Sequence, residues 1–351
     1  MHWERASEDI YIFTSDRYAQ VTASLIVSGT IGVLIDTLPF PSETAQIALF
    51  AQKRCPEGVR FIIYTGHEAD HVYGASLFPR AQVIAHEMAR EILTERGFAA
   101  LERVKGESQE FANVQLRLPT FTFTTGSTTL RLPGKTLEII HTPGHSADCV
   151  SVLLHEERIL FAGDTVMALP TIVNGDPEQL KQSLEMIGAM QLENIVQGHG
   201  EIILRGEIRD TLRRQASYLD NLRSKVQKLI DAGGSREEAR NITIEQCGMQ
   251  RVLLNGAVVQ LHLANVLTTY DRLMATKKPA RAEAQATADK TKSRRAARKP
   301  ATAEKAYKEE KASKGRKATT QRPAAGEASE EKAAKKKTRK PAKASKKSKG
   351  R

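Results

Sequence analysis

The first two hundred residues predict a mixed α/β layered domain, and two observations carry that prediction. Short runs of Val, Ile, Leu and Phe alternate with segments of helical periodicity, and several of these runs end in loops rich in Gly, Asp and His. Gly32 to Asp36, Arg60 to Tyr64, Gln82 to Ala85, Leu137 to Ile140, Cys149 to Leu154 and Arg158 to Ala162 read as buried strands, since each is almost uniformly apolar. Ser42 to Lys53 follows a Pro-Ser start and spaces its apolar residues as a helix does, and Glu87 to Arg96 does the same. Val114 to Leu132 instead alternates apolar and polar residues around Gly126-Ser127, the pattern of an antiparallel pair.

After Arg205 the pattern turns helical. Arg209 to Ala232 is long and amphipathic, Gly233-Gly234 stops it, and Ser235 with Glu238 forms a capping box for the next helix. Val252 to Met274 predicts a final helix. These shifts divide the chain into residues 1–205, a helical extension over 206–275 that packs on them, and a tail over 276–351.

The tail holds 27 Lys and Arg against 8 Asp and Glu, while the first 275 residues hold 26 against 33. The basic character therefore belongs to the tail and the body is mildly acidic. With Tyr307 its one side chain more apolar than Ala or Pro, the tail predicts a disordered segment. Its charge suits non-specific contact with nucleic acid, or simply a solubilising spacer, and one aromatic offers no stacking platform. Three widely spaced cysteines, Cys55, Cys149 and Cys247, form no disulfide framework, and no run approaches membrane-spanning length. The expectation is a cytoplasmic protein that does not enter a membrane.

Four strand ends carry chemistry. Tyr64 to Gly74 reads YTGHEADHVYG; His145 lies in HTPGHSAD, Asp164 in FAGDTV and His199 in VQGHG. Loops just beyond buried strands are where reactive side chains converge, and their glycines allow the tight turns that aim them. In order and spacing these four segments resemble the metallo-β-lactamase-fold hydrolases, whose signature runs THxHxDH, then PGH, GD and GH; Asp36 in LIDT fits a subgroup of the same superfamily.

That resemblance implies a four-layer αββα sandwich with a divalent metal site at one edge. It places Asp70 and His71 on the DH of the signature, with His145, Asp164 and His199 as further metal ligands. Thr65 matches the signature threonine, Gly66 stands where the first histidine belongs, and Glu68 stands where the second belongs. His67 falls on a spacer position and is expected to point away from the site. The glycine either serves a backbone angle that histidine could not take or marks a lost ligand. The implied result is one well-held metal and a weakened second position, with zinc foremost and iron or manganese also compatible with mixed carboxylate and imidazole ligands.

The chemistry this implies is hydrolysis by a metal-bound hydroxide of an ester, thioester, lactone or similar carbonyl in a small-molecule substrate. Asp70 would ligate and orient the nucleophile, and Glu68 would ligate or act as general base. The alternative is a weakly catalytic or non-catalytic relative tethered to nucleic acid by its tail; nuclease and di-iron redox chemistry rank behind. Tyr218, Leu222, His262 and Tyr270 are weak candidates to wall the substrate pocket, and helices of this kind also pair subunits into homodimers.

Overall fold

A computed structural model describes residues 1–250 and 254–296, with side chains in the last helix described as far as Lys277. Two mixed sheets face each other. The first has seven strands in sequence order: β1 (His2–Ser7), β2 (Ile10–Thr14), β3 (Thr22–Ser28), β4 (Ile31–Ile35), β5 (Val59–Ile63), β6 (Gln82–His86) and β7 (Phe121–Phe123). The second has six in the order β13-β12-β11-β10-β9-β8, namely Ile203–Leu204, Asn194–Gln197, Ile159–Gly163, Val150–Leu154, Lys135–His141 and Ser127–Leu132.

All six apolar runs predicted as strands are strands. The N-terminal meander β1 to β3 is added to them, its pattern in the sequence blurred by charged residues at Glu4, Arg5, Glu8 and Asp9. The segment read as one antiparallel pair is not a pair. β7 joins β6 in the first sheet in parallel, while β8 pairs antiparallel with β9 in the second. The Gly126 turn, at φ 66°, therefore carries the chain from one sheet to the other. An alternating pattern records one buried face on each strand and does not say which neighbour each strand takes.

Where the sheets meet, Ile10, Ile12, Ile26, Val33, Ile35, Ile63 and Ile84 pack against Leu137, Ile139, Val150, Val152, Leu154, Phe161 and Val196. Both faces of the central strands are covered, which explains their continuous apolar runs, while β1 and β8 lie exposed at the edges. On the outer face of the first sheet lie α1 (Pro41–Arg54), the single turn α2 (Ala69–Val72), α3 (Glu87–Ile92) and α4 (Phe98–Glu107). A π-helical turn at Leu93–Gly97 joins the last two. On the outer face of the second lie α5 (Pro177–Gly188), α6 (Arg205–Asp231), α7 (Arg236–Ala239) and α8 (Ala257–Ala296). The result is a four-layer αββα sandwich.

Residues Met1–Ala286 form one compact unit that includes the helical extension. Helix α8 runs past Met274 to Ala296, so helical structure enters the stretch whose composition predicted disorder. Its Ala, Lys, Arg, Glu and Gln residues are good helix formers even without an apolar face. The rest of the basic tail, from residue 297, lies outside the described residues. Among the described residues no helix is long and apolar enough to cross a membrane.

Candidate metal centre

Each sequence-predicted ligand sits where a strand of the central layers gives way to a loop, and the loops meet at one edge of the sandwich. Strand β5 ends at Ile63 and delivers Tyr64 to Gly74; β9 leads to His145, β11 to Asp164 and β12 to His199. Hydrogen bonds from Gly198 N–H to the carbonyls of Gly163 and Val166 hold the last two loops together. A side chain at residue 198 would collide with the Asp164 carboxylate, so glycine is the residue that lets these loops close.

The ligand atoms form two adjoining clusters. Asp70, His71 and His199 each offer one atom within 4.8 Å of the others, and so do Glu68, His71 and Asp164. His199 Nε2 lies 3.3 Å from Asp70 and 3.5 Å from Asp164. His71 Nε2 lies 3.2 Å from Asp164, and His145 Nε2 lies 2.9 Å from Glu68 and 3.4 Å from Asp164. Asp164 stands between the clusters. All six predicted ligands, Glu68, Asp70, His71, His145, Asp164 and His199, thus converge.

Three features show that the residues fit a metal. Each histidine is held at Nδ1, leaving Nε2 for the centre: His71 by Asp36 Oδ2 at 2.9 Å, His145 by the Thr171 carbonyl at 3.1 Å and His199 by the Ala19 carbonyl at 3.0 Å. Both His71 Nε2 and Asp164 Oδ1 are buried without a hydrogen-bond partner. A buried polar atom without a partner costs about 1–3 kcal/mol, and a coordinating ion removes that cost. The electrostatics agree. Burial opposes the charged imidazolium, yet Asp164 and the neighbouring carboxylates outweigh it, raising His71, His145 and His199 above their ordinary value, His145 to about 9. Burial likewise opposes ionised Asp70 and Asp164, but the surrounding histidines hold both below the usual carboxylate range. So dense a set of carboxylates holds positive charge, as protons or as a metal ion.

Asp36 is the keystone behind His71. It adopts φ 56°, a conformation asparagine and aspartate tolerate better than most residues. From there Oδ1 accepts the Thr65 N–H at 2.8 Å, while Oδ2 accepts the Thr65 hydroxyl at 2.6 Å and His71 Nδ1.

Two expectations for the signature loop are corrected. Gly66 does not lie in the left-handed region, and a Cβ placed on it would meet nothing nearer than Asp148 Oδ2 and Cys149 Sγ, both at 4.0 Å. No backbone angle demands glycine there; the position lacks a side chain with room for one. His67 is outside both clusters, as a spacer residue should be, but it does not turn away. Its Nδ1 bonds Asp148 Oδ1 at 2.8 Å, and the ring lines the cavity over the centre.

That cavity, about 780 Å³, has Glu68, Asp70, His145, Asp164 and His199 on its floor. Apolar side chains line part of it, Ile92, Leu93 and Ala100 around the π-helical turn and Leu254, Ala257 and Leu261 near the start of α8, and Arg17, Arg96 and Arg103 line it too. Tyr18, which nothing in the sequence singled out, lines it as well; Asp70 foremost, with burial and Glu68, pushes its phenol up to about 12. Tyr218, Leu222, His262 and Tyr270 do not reach it and are core residues. Tyr218 is fully buried with its hydroxyl on His262 Nδ1 at 2.9 Å, and the Tyr270 hydroxyl donates to the Gly234 carbonyl.

One link reaches the centre from far along the chain. Asn265 of α8, fully buried, donates to the Pro170 carbonyl at 2.7 Å and accepts the Ile172 N–H at 3.0 Å. It therefore grips both neighbours of Thr171, whose carbonyl holds His145.

Residues 17–233 match the profile of the Metallo-beta-lactamase superfamily, well over half of the chain. The chain belongs to that superfamily. Among curated relatives in the metallo-β-lactamase superfamily, a beta-lactamase-like protein 2 homolog of Caenorhabditis elegans is 25% identical over 63% of this chain and 68% of its own. An atrochrysone carboxyl ACP thioesterase of Aspergillus fumigatus is 30% identical over 38% of each chain, so the match spans well under two thirds of that fungal relative. A metallo-beta-lactamase family protein from Thermus thermophilus superposes with a TM-score of 0.59 at 18% identity, over 78% of this chain and 95% of its own, which is a likeness of fold.

Proposed function

We propose that the protein is a metal-dependent hydrolase of an acyl thioester or a related ester or lactone. The observation that carries this reading is the cavity itself, where apolar side chains suited to an acyl chain stand over a floor of carboxylates and imidazoles. Relatives named as thioesterases support the same class of bond. The ligand set suits zinc, with iron or manganese also compatible; Asp70, His71, His199 and Asp164 would hold one ion, and Glu68, His145 and Asp164 would offer a second position. Such an ion supplies a Lewis acid and lowers the pKa of bound water towards about 7.

The chain's own residues do the remainder. Asp70 is placed to orient the attacking water, with one carboxylate oxygen towards His199 and the other towards His71. Glu68 is about a third exposed at the cavity floor, with its Oε2 shared with His145; where the second metal position is empty it can accept the proton that water loses, and where that position is filled it would be a ligand instead. Tyr18 stays protonated at neutral pH and can donate a hydrogen bond to developing negative charge on the substrate oxygen.

A panel of acyl thioesters, esters, lactones and phosphodiesters, assayed with the zinc-loaded protein, tests the reading. Thioester or ester turnover that disappears in Asp70→Ala is the expected result. Protein that holds less than a small fraction of one metal per chain after metal-replete expression, or that cleaves only phosphodiesters, would overturn it.

A further inference from the structure

The missing first imidazole of the signature leaves the Glu68/His145/Asp164 position with three side chains. We propose that Cys149 supplies the fourth, its thiolate reaching the metal through the space that Gly66 leaves open. This inference rests on the metal-centre reading above.

Several independent observations point there. A small cavity is lined by Gly66, Glu68, His71, His145, Cys149 and Asp164, so Cys149 borders the same space as the three other donors of that position. It is too tight to admit a water molecule as it stands. Cys149 Sγ lies 4.0 Å from where a Cβ on residue 66 would be, about the reach of a histidine from its Cβ to its far nitrogen. The thiol is therefore within reach of the space that a side chain at residue 66 would occupy.

Beside it, Asp148 is 1% exposed and its Oδ2 is buried without a partner, also 4.0 Å from the residue 66 Cβ position. The other oxygen of that carboxylate accepts both His67 and the Ser146 hydroxyl, and the group does not line the small cavity, which leaves the thiol as the additional donor that borders it. Since Ser146 gives its hydrogen to Asp148, Cys149 S–H is the donor in the 3.1 Å contact with Ser146 Oγ. On loading, the S–H bond breaks, the Sγ–metal bond forms and the proton passes to solvent. No oxidant is required.

Cobalt(II) makes the proposal visible, because a thiolate bound to cobalt absorbs intensely in the near ultraviolet and carboxylate or imidazole donors do not. The full chain loaded with cobalt should show this band. Cys149→Ser should lose the band and the second cobalt while the Asp70/His71/His199 ion stays, taking the count from about two per chain to about one. Asp148→Asn should keep both. Because Cys149→Ser could fail to fold, cadmium NMR of the unsubstituted protein gives a second readout, a thiolate donor moving one resonance well downfield. Bound cobalt without a thiolate band, or a band that persists in Cys149→Ser, overturns the proposal while leaving the hydrolase reading intact. So does loss of the second ion in Asp148→Asn but not in Cys149→Ser. Failure to bind any cobalt overturns both.

Discussion

Asp36→Asn tests how much the centre depends on the orientation of one ring. In the native site Oδ2 accepts two donors, the Thr65 hydroxyl at 2.6 Å and His71 Nδ1–H at 2.9 Å, while Oδ1 accepts the Thr65 N–H at 2.8 Å. The Thr65 amide needs an acceptor, so the asparagine oxygen takes the Oδ1 place and its NH2 faces His71. Thr65 can rotate its hydroxyl to suit. His71 must give up its Nδ1 proton, and the proton that then sits on Nε2 removes the lone pair aimed at the centre.

Loss of such an orienting partner weakens metal affinity by about 10–100-fold, or about 1.4–2.7 kcal/mol. With zinc at 100 times the wild-type Kd, binding should stabilise the wild type by about 2.7 kcal/mol and the variant, if 100-fold weaker, by only about 0.4 kcal/mol. Chelator competition gives the affinity and thermal unfolding with and without zinc gives the stabilisation. Affinity within twofold of wild type, or an undiminished gain in stability on adding zinc, would refute the tautomer argument.

Three further outcomes follow from the geometry. Gly66→Ala should stabilise the metal-free protein by about 0.4–1 kcal/mol, because its backbone angle suits any residue and the space is open; a loss above about 1 kcal/mol in urea unfolding would contradict that. Glu68→Gln should lower kcat by at least about 100-fold if Glu68 accepts the proton, with unchanged turnover removing it from the mechanism. His145 has its folded value raised to about 9 from 6.5, so without metal its contribution is fully present below pH 6.5 and is lost as pH rises through about 9. That contribution is on the order of 2–3 kcal/mol, so chelator-treated protein should unfold at lower urea at about pH 10 than at about pH 6. Zinc affinity should move the opposite way and rise with pH, as measured by chelator competition across the same range.

What the sequence disclosed and what it hid differ in kind. The six candidate ligands were legible because a carboxylate or imidazole beside glycine at the end of an apolar run is unusual, and four such loops in signature order are more so. The Ala19 and Thr171 carbonyls that orient His199 and His145 were not, since any residue presents the same main-chain oxygen. The choice left open at Gly66 has a related reason: a glycine letter does not reveal whether φ is positive, and here it is not. Strand runs such as Arg60 to Tyr64 were plain from their apolar content, but the partners of Phe121–Phe123 and Ser127–Leu132 depend on contacts distant in the chain. His67 shows the same limit, since its partner Asp148 lies 81 residues away.

Asn265 bears on how small a working piece of this protein could be. A fragment cut at Asp231, where α6 ends, would contain every ligand of the centre and nearly all of the span that matches the superfamily. It would nevertheless lack the amide that holds Pro170 and Ile172, and with it the fixed Thr171 oxygen behind His145. The shortest segment able to present the centre in its native geometry extends beyond Asn265, so the helical extension is part of the smallest piece that keeps the centre whole.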